Sequence, residues 1–236
     1  MEKNNMSLKL ATVTTWNNKL YKKFAHRFEE TYNWDFPLTV YNEDDNLFSL
    51  VPDCKLFVNK WSESKTVNWK WDAVRFCYKV YAYCHMILNS PDLDGVIYID
   101  ADTVFYKPVD LNWIMEHIHR DECAVTYLGR GDHHTETGFL YFNLSHPHTK
   151  SFAKDMLKMY DEGLVFNHPQ WHDAFMFDVV RKSYEKQGVL FHNIGDGAWG
   201  DGGHVHARSI LGTVCDHTKG PRKDKGISPE NNLVRT

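Results

Sequence analysis

Residues 95–107 read GVIYIDADTVFYK. Val96 to Ile99 form a continuous apolar run, the mark of a strand buried on both faces. Two carboxylates, Asp100 and Asp102, follow one residue apart. Period-2 geometry predicts that both side chains point the same way. Like charges so placed repel unless one protonates or a cation bridges them. A capping aspartate beside a solvated turn is the plain alternative. In an open α/β sheet ligands bind beyond the carboxyl ends of the strands, where this pair falls. A hard divalent ion would satisfy the two carboxylates and leave positions free for phosphate oxygens.

The flanking sequence supplies the rest of such a sheet. LKLATVTTW (8–16) predicts a first strand. Leu20, Phe24 and Phe28 then recur at helical spacing, with Asn17 or Asn18 as the cap. PLTVY (37–41) predicts a second strand and NEDD (42–45) the loop that ends it. A helix over 70–88 carries Ala73, Phe76, Cys77, Val80, Tyr81, Cys84 and Ile87 on one stripe. ECAVTYL (122–128) and GFLYFNL (138–144) predict strands separated by RGDHHTE. Helices are expected over 148–161 and 170–184, and a last strand over 189–194. The β-α-β opening predicts an α/β fold: one domain over 1–236, with a mixed, mostly parallel central sheet flanked by helices. From Gly195 the chain is glycine-rich and basic, which predicts mostly loop.

The totals set limits. A chain of 236 residues with 42% hydrophobic and 25% charged residues buries a core without staples. Cys54, Cys77, Cys84, Cys123 and Cys215 are odd in number and contain no C-x-x-C pair. That disfavours a disulfide framework or structural zinc and favours a reducing compartment. MEKNNMSLKL holds no signal-peptide core, and no stretch reaches the ~18 apolar residues of a membrane span. A cytoplasmic protein, of a bacterium or a virus-infected host, is therefore expected. The net charge of −4 gives no global attraction to nucleic acid.

Four further stretches carry chemistry. In CDHTKGPRKDKG (215–226), His217, Gly220 and Lys223 form H-x-x-G-x-x-K, with Lys219 and Arg222 alongside. Glycine lets the backbone approach a ligand, lysines offer point charges to phosphate, and a neutral imidazole can complete a metal site; a solvated basic tail is the alternative. In HTETGFLYFN (134–143), Glu136 and Thr137 precede Gly138, a hairpin glycine or one that makes room for a ligand ring. In PQWHDAFMFD (169–178), Asp173 opens a helix, either as a partner of the helix dipole or as a site residue. On the helix before the D-A-D strand, Arg75 and Lys79 lie one turn apart. Arg75 either pairs with Asp72 or faces the site.

Taken together, these features resemble GT-A-type glycosyltransferases, in particular the family of glycogenin and the bacterial lipopolysaccharide glucosyl- and galactosyltransferases. The likeness runs over about residues 8 to 226, through Arg75, Asp100-Ala101-Asp102, Thr137-Gly138 to Asn143, His172-Asp173 and His217-x-x-Gly220-x-x-Lys223, in that order. The resemblance implies a single GT-A (Rossmann-like) domain whose 195–236 segment closes over the donor. It implies that Asp100, Asp102 and His217 hold Mn²⁺ or Mg²⁺ on the diphosphate of a nucleotide sugar such as UDP-glucose. Lys223, Lys219 and Gly220 would bind that diphosphate. Thr14, Trp16 and the loop near Asn42 to Asp44 would hold base and ribose, and Arg75 and Gly138 would line the donor. Asp173 and Glu136 are the implied catalytic carboxylates. Departures fall mostly in the sugar half: His172 replaces a glutamine, Glu136 and Thr137 stand where asparagine and a small residue are usual, and Asp224 replaces a proline.

The implied reaction moves a sugar from a nucleoside diphosphate to a hydroxyl of a saccharide, a lipid head group or a hydroxymethylated DNA base. The rival class is a sugar-nucleotide nucleotidyltransferase or a nucleotide-sugar-binding protein. TVTTWNNKLYKK (12–23) lacks the glycine-rich phosphate loop that such a nucleotidyltransferase carries after its first strand.

Overall fold

A computed structural model describes residues 8–64, 66–196, 198, 204–220 and 222–225. Its strands are β1 (Leu10–Trp16), β2 (Leu38–Asn42), β3 (Gly95–Ile99), β4 (Thr103–Phe105), β5 (Cys123–Arg130), β6 (His133–Asn143), β7 (Leu190–Asn193) and β8 (Cys215–His217). The helices are α1 (Asn18–Leu20), α2 (His26–Thr31), α3 (Asn46–Leu50), α4 (Pro52–Trp61), α5 (Ala73–Asn89), α6 (Leu111–His117), α7 (Thr149–Asp161), α8 (Asp173–Glu185), α9 (Val205–Arg208) and α10 (Arg222–Lys225).

Six strands form one mixed sheet in the order β2-β1-β3-β6-β5-β7. The pairs β1/β2, β1/β3 and β5/β7 are parallel, and β6 runs antiparallel to both its neighbours. The carboxyl ends of β1, β3, β5 and β7 and the amino end of β6 therefore share one edge. The fold is the expected α/β sheet, mostly parallel in its junctions.

The apolar run of β3 is explained by cover on both faces. Val96 and Tyr98 enter a core with α5, α7 and α8, while Ile97 and Ile99 enter a second core with Phe24, Phe28 and Cys215. On β6, Leu140 and Phe142 divide from Phe139 and Tyr141 in the same way. Asn17 caps α1, its side chain accepting from Leu20 N–H at 2.8 Å. Asp72 caps α5 by accepting from Arg75 N–H at 3.0 Å.

Three sequence expectations change. The stretch RGDHHTE is largely strand: β5 runs to Arg130 and β6 starts at His133, so the hairpin turns at Gly131 (φ 55°). The segments 46–61 and 111–117, unassigned by pattern, are helical. The tail is not mostly loop where it is described: α9 leads through a 3-10 turn (Ile210–Thr213) into β8, which pairs antiparallel with β4. Residues 197, 199–203, 221 and 226–236 of the expected closing segment lie outside the described residues. Among the described residues no helix is long and apolar enough to cross a membrane.

The β4–β8 ladder sets Thr103 opposite His217. It depends on Gly212, where an added Cβ would overlap the Ala207 carbonyl, which is backbone and cannot swing aside. We expect Gly212→Ala to destabilise the protein by about 1–3 kcal/mol, as overpacked sites do. A urea midpoint unchanged from wild type would contradict that packing.

Candidate active site

After Ile99 the chain leaves the sheet and turns, with Thr103 N–H donating to the Asp100 carbonyl at 3.1 Å. That turn breaks the period-2 expectation for the two aspartates. Asp100 faces the α5 side, where its Oδ1 accepts from Lys79 Nζ at 3.0 Å and from Tyr98 OH at 2.7 Å. Asp102 faces the tail, where Oδ1 lies 2.8 Å from His217 Nε2 and Oδ2 lies 2.7 Å from Lys223 Nζ. The two carboxylates meet at the imidazole, since His217 Nε2 is also 3.6 Å from Asp100 Oδ2. The Thr218 N–H and hydroxyl both donate to the Asp102 carbonyl, at 3.0 and 2.7 Å, and anchor the strand end that carries His217.

The other face of His217 meets Glu136, with Nδ1 3.7 Å from Oε1. Glu136 is buried and receives Lys219 Nζ at 2.9 and 3.0 Å and Arg130 Nη1 at 3.5 Å. Gly138 makes room for the imidazole itself: a Cβ there would stand 2.5 Å from His217 Cε1. That is a close approach that only glycine allows at this position. Gly220 is required by its turn, at φ 63°.

Lys79 connects the two halves. Its Nζ lies 2.7 Å from Asp173 Oδ2 and 3.2 Å from the Thr137 carbonyl, and Thr137 Oγ1 donates to Asp173. Arg75, one turn earlier, is exposed, with its guanidinium over the Phe76 ring. The cation on α5 that reaches the aspartates is thus Lys79. A lysine inside the run Cys77 to Cys84, otherwise almost wholly buried, was the sequence signal for it.

The base and ribose positions stand differently from the expectation. Trp16 is buried, packed edge-on against Phe28 at 5.9 Å, and Thr14 is buried with its hydroxyl turned into the interior. Neither presents its side chain at the surface. In the loop after β2, Glu43 accepts from Asn17 Nδ2 at 2.8 Å, and Asp44 accepts from Asn18 N–H at 2.7 Å, so both carboxylates hold the start of α1.

Electrostatically the cluster is balanced. Four carboxylates, Asp100, Asp102, Glu136 and Asp173, are met by four permanent cations, Lys79, Lys219, Lys223 and Arg130. Burial alone would raise the carboxyl pKa values. Against it, His217 and Lys223 hold Asp102 well below the usual range, Lys219, His217 and Arg130 hold Glu136 well below it, and Lys79 holds Asp173 down. Burial would lower His217, but Asp102 and Glu136 keep it raised. Burial lowers His204 to about 2, His206 to about 3 and His172 to about 4.

Ligand atoms of Asp100, Glu136 and His217 lie within 4.8 Å of one another. Carboxylate oxygens with one imidazole suit a hard ion such as Mn²⁺ or Mg²⁺. That group fits the implied metal, but it differs from the set read from sequence: it takes in Glu136 and leaves out Asp102, whose oxygens pair with His217 and Lys223.

No protein-family model and no curated protein matches the chain. Solved structures similar to it include glycosyltransferases. Mouse xyloside xylosyltransferase 1 is 10% identical, with 79% of this chain and 85% of that one covered, at a TM-score of 0.49. The glycosyltransferase GlyE of Streptococcus pneumoniae is 14% identical, covering 80% of this chain and 48% of that one, at 0.48. A glycosyltransferase involved in glycosylation of the major capsid of PBCV-1 is 10% identical, covering 92% and 98%, at 0.47.

The pKa directions fix a pH profile. The lowered His172, His204 and His206 stay neutral in the folded protein, so the unfolded chain takes up more protons as pH falls below about 6.5, and stability falls with it. His217, raised, has the opposite sign: its contribution is full below about 6.5 and is lost as pH rises through its folded value. The lowered carboxylates contribute fully above about 4 and lose that contribution as pH drops below it. Between about pH 6.5 and 4 the His217 contribution is constant and the lowered histidines set the slope, so the urea midpoint of metal-free protein should fall over that range and more steeply below it. A profile flat over that range would contradict the buried neutral imidazoles.

Proposed function

We propose that this chain is a metal-dependent glycosyltransferase that moves a hexose from a nucleoside-diphosphate sugar, UDP-glucose or a close relative, to a hydroxyl acceptor. The observation that carries the reading is the meeting of Asp100, Asp102, His217 and Lys223 beyond the carboxyl end of β3. Asp100, Asp102 and His217, with Glu136 beside them, would hold Mn²⁺ or Mg²⁺, which supplies charge for the leaving diphosphate. An ion and a diphosphate bring nearly cancelling charges into a site that is already balanced. Lys219 and Lys223 would then exchange their carboxylates for phosphate oxygens, and the cluster would stay neutral throughout. The 195–236 segment, which carries both lysines, would close over the donor.

The carboxylates Asp173 and Glu136 are ion-paired, and their cations lower their pKa values, away from the range that suits a general base. They would serve as fixed negative charge beside the developing positive charge at the anomeric carbon, a role that accords with retention of configuration.

With UDP-glucose, UDP-galactose or UDP-GlcNAc and Mn²⁺, UDP release is expected from at least one donor. We expect Asp102→Asn to lose roughly a hundredfold or more, as loss of a charge-stabilising group does, and excess EDTA to abolish release. Full activity in EDTA would overturn the metal assignment, and no release from any sugar nucleotide would overturn the function. The anomeric proton of the product, read by NMR, should keep the donor's configuration; inversion would return a base role to one of the two carboxylates.

A further inference from the structure

Among the described residues, five of the seven exposed large apolar side chains, Leu50, Leu56, Val67, Trp69 and Trp71, fall within 50–71. The remaining two are scattered, and scattered ones need no explanation. This concentration does. It occupies the end of α3, the outer face of α4 and the turn before α5.

The turn is held in shape. Asn68 accepts from Lys70 N–H at 3.1 Å, Trp71 Nε1 donates to the Pro169 carbonyl at 2.9 Å, and Trp171 N–H donates to the Lys70 carbonyl at 2.7 Å. Behind it, on the core side of α4, Trp61 packs on Phe166 at 4.4 Å and Phe166 on Trp171 at 5.1 Å, which ties the turn to that helix. Trp69 and Trp71 remain 47% and 40% exposed although their backbone is fixed.

Interleaved with these side chains are exposed Lys55, Lys60 and Lys70, against exposed Asp53 and Glu63, and exposed Arg75 follows on α5. The patch is thus net positive on a chain of net charge −4. That mixture selects among partners. Protein interfaces deplete lysine at their cores. Nucleic acid uses aromatic faces and cations, but it leaves Leu50, Leu56 and Val67 without a role. A bilayer surface uses all three components: tryptophan at the head-group level, aliphatic side chains below it, and lysines on anionic phosphates.

We propose that this face docks peripherally on a bilayer carrying anionic phospholipid. Trp69 lies 4.8 Å from His172, the residue before Asp173, so the docked face adjoins the candidate active site. The proposal does not depend on the transferase reading, since its test measures binding to lipid alone.

The full chain is sedimented with vesicles of phosphatidylcholine alone or with about 30% phosphatidylglycerol, at about 50 and 300 mM NaCl. Partition onto the anionic vesicles should exceed that onto neutral ones by roughly tenfold and should fall at the higher salt. Trp69→Ser with Trp71→Ser should lower it by roughly tenfold, and Lys60→Glu with Lys70→Glu should remove the preference for anionic lipid. Each variant is first shown to keep the wild-type circular dichroism; should the tryptophan pair fail that check, the lysine pair on the exposed surface decides. Equal partition on both vesicle types, or unchanged partition in the folded variants, would overturn the proposal. So would tighter binding to a single-stranded oligonucleotide of about twenty nucleotides that the same substitutions abolish.

Discussion

The pairing of Thr103–Phe105 with Cys215–His217 brings a residue from near the end of the described chain against the aspartates after β3. Without it Asp102 would face solvent, Glu136 would lose an imidazole neighbour, and the D-A-D would be an ordinary acidic turn. The ladder is only three residues long, so other contacts must hold it. Thr218 bonds back to the Asp102 carbonyl, the Tyr106 N–H donates to the Val214 carbonyl at 3.1 Å, and Cys215 sits wholly within the second core. Flanking hydrogen bonds and the packing of Cys215 thus supply what so short a strand cannot, and the site inherits its geometry from both.

Charge placement follows from that closure. Leaving one partner of a buried ion pair alone costs about 3–5 kcal/mol, so a site with four carboxylates must carry its own cations. Two of these cations have a second duty written into their position. Lys79 binds two carboxylates from different elements and so fixes α8 relative to β3. Lys223 lies over the Phe24 ring at 4.2 Å while it pairs with Asp102, and so ties the tail to the first helical segment.

Much of this architecture is legible in the sequence, and the exceptions have a common cause. The run VIYI reads as a doubly covered strand because two cores need it, and Asn17 reads as a cap because its side chain answers a local N–H. Gly138 and His217 both stand out as residues, but that one makes room for the other is a contact across 79 positions. Arg75 and Lys79 part for a related reason: helical spacing gives two cations one turn apart, and only tertiary packing decides which one is buried against Asp100 and Asp173. Trp16, which the family resemblance sets beside the base and ribose, lies in the core, packed edge-on with Phe28. Local pattern carries the elements, whereas long-range pairing carries the site.

The site is also graded in its freedom. Tyr98, Lys79, Asp173 and Glu136 are buried and multiply bonded, whereas the side chains of Lys223 and Lys219 are 24% and 50% exposed. A buried, fully paired group keeps its geometry when a ligand arrives, because moving it would strand a charge. An exposed lysine exchanges one anion for another at little cost, because water screens it in transit. The half built on β3, α5 and α8 is therefore the fixed frame, and the half carried by the tail is the exchangeable one. In the proposed transferase the donor's phosphates would meet Lys219 and Lys223, and the metal ion would take over the buried carboxylates that the two lysines leave. Asp100, Asp102 and His217 stay where the strand pairing put them.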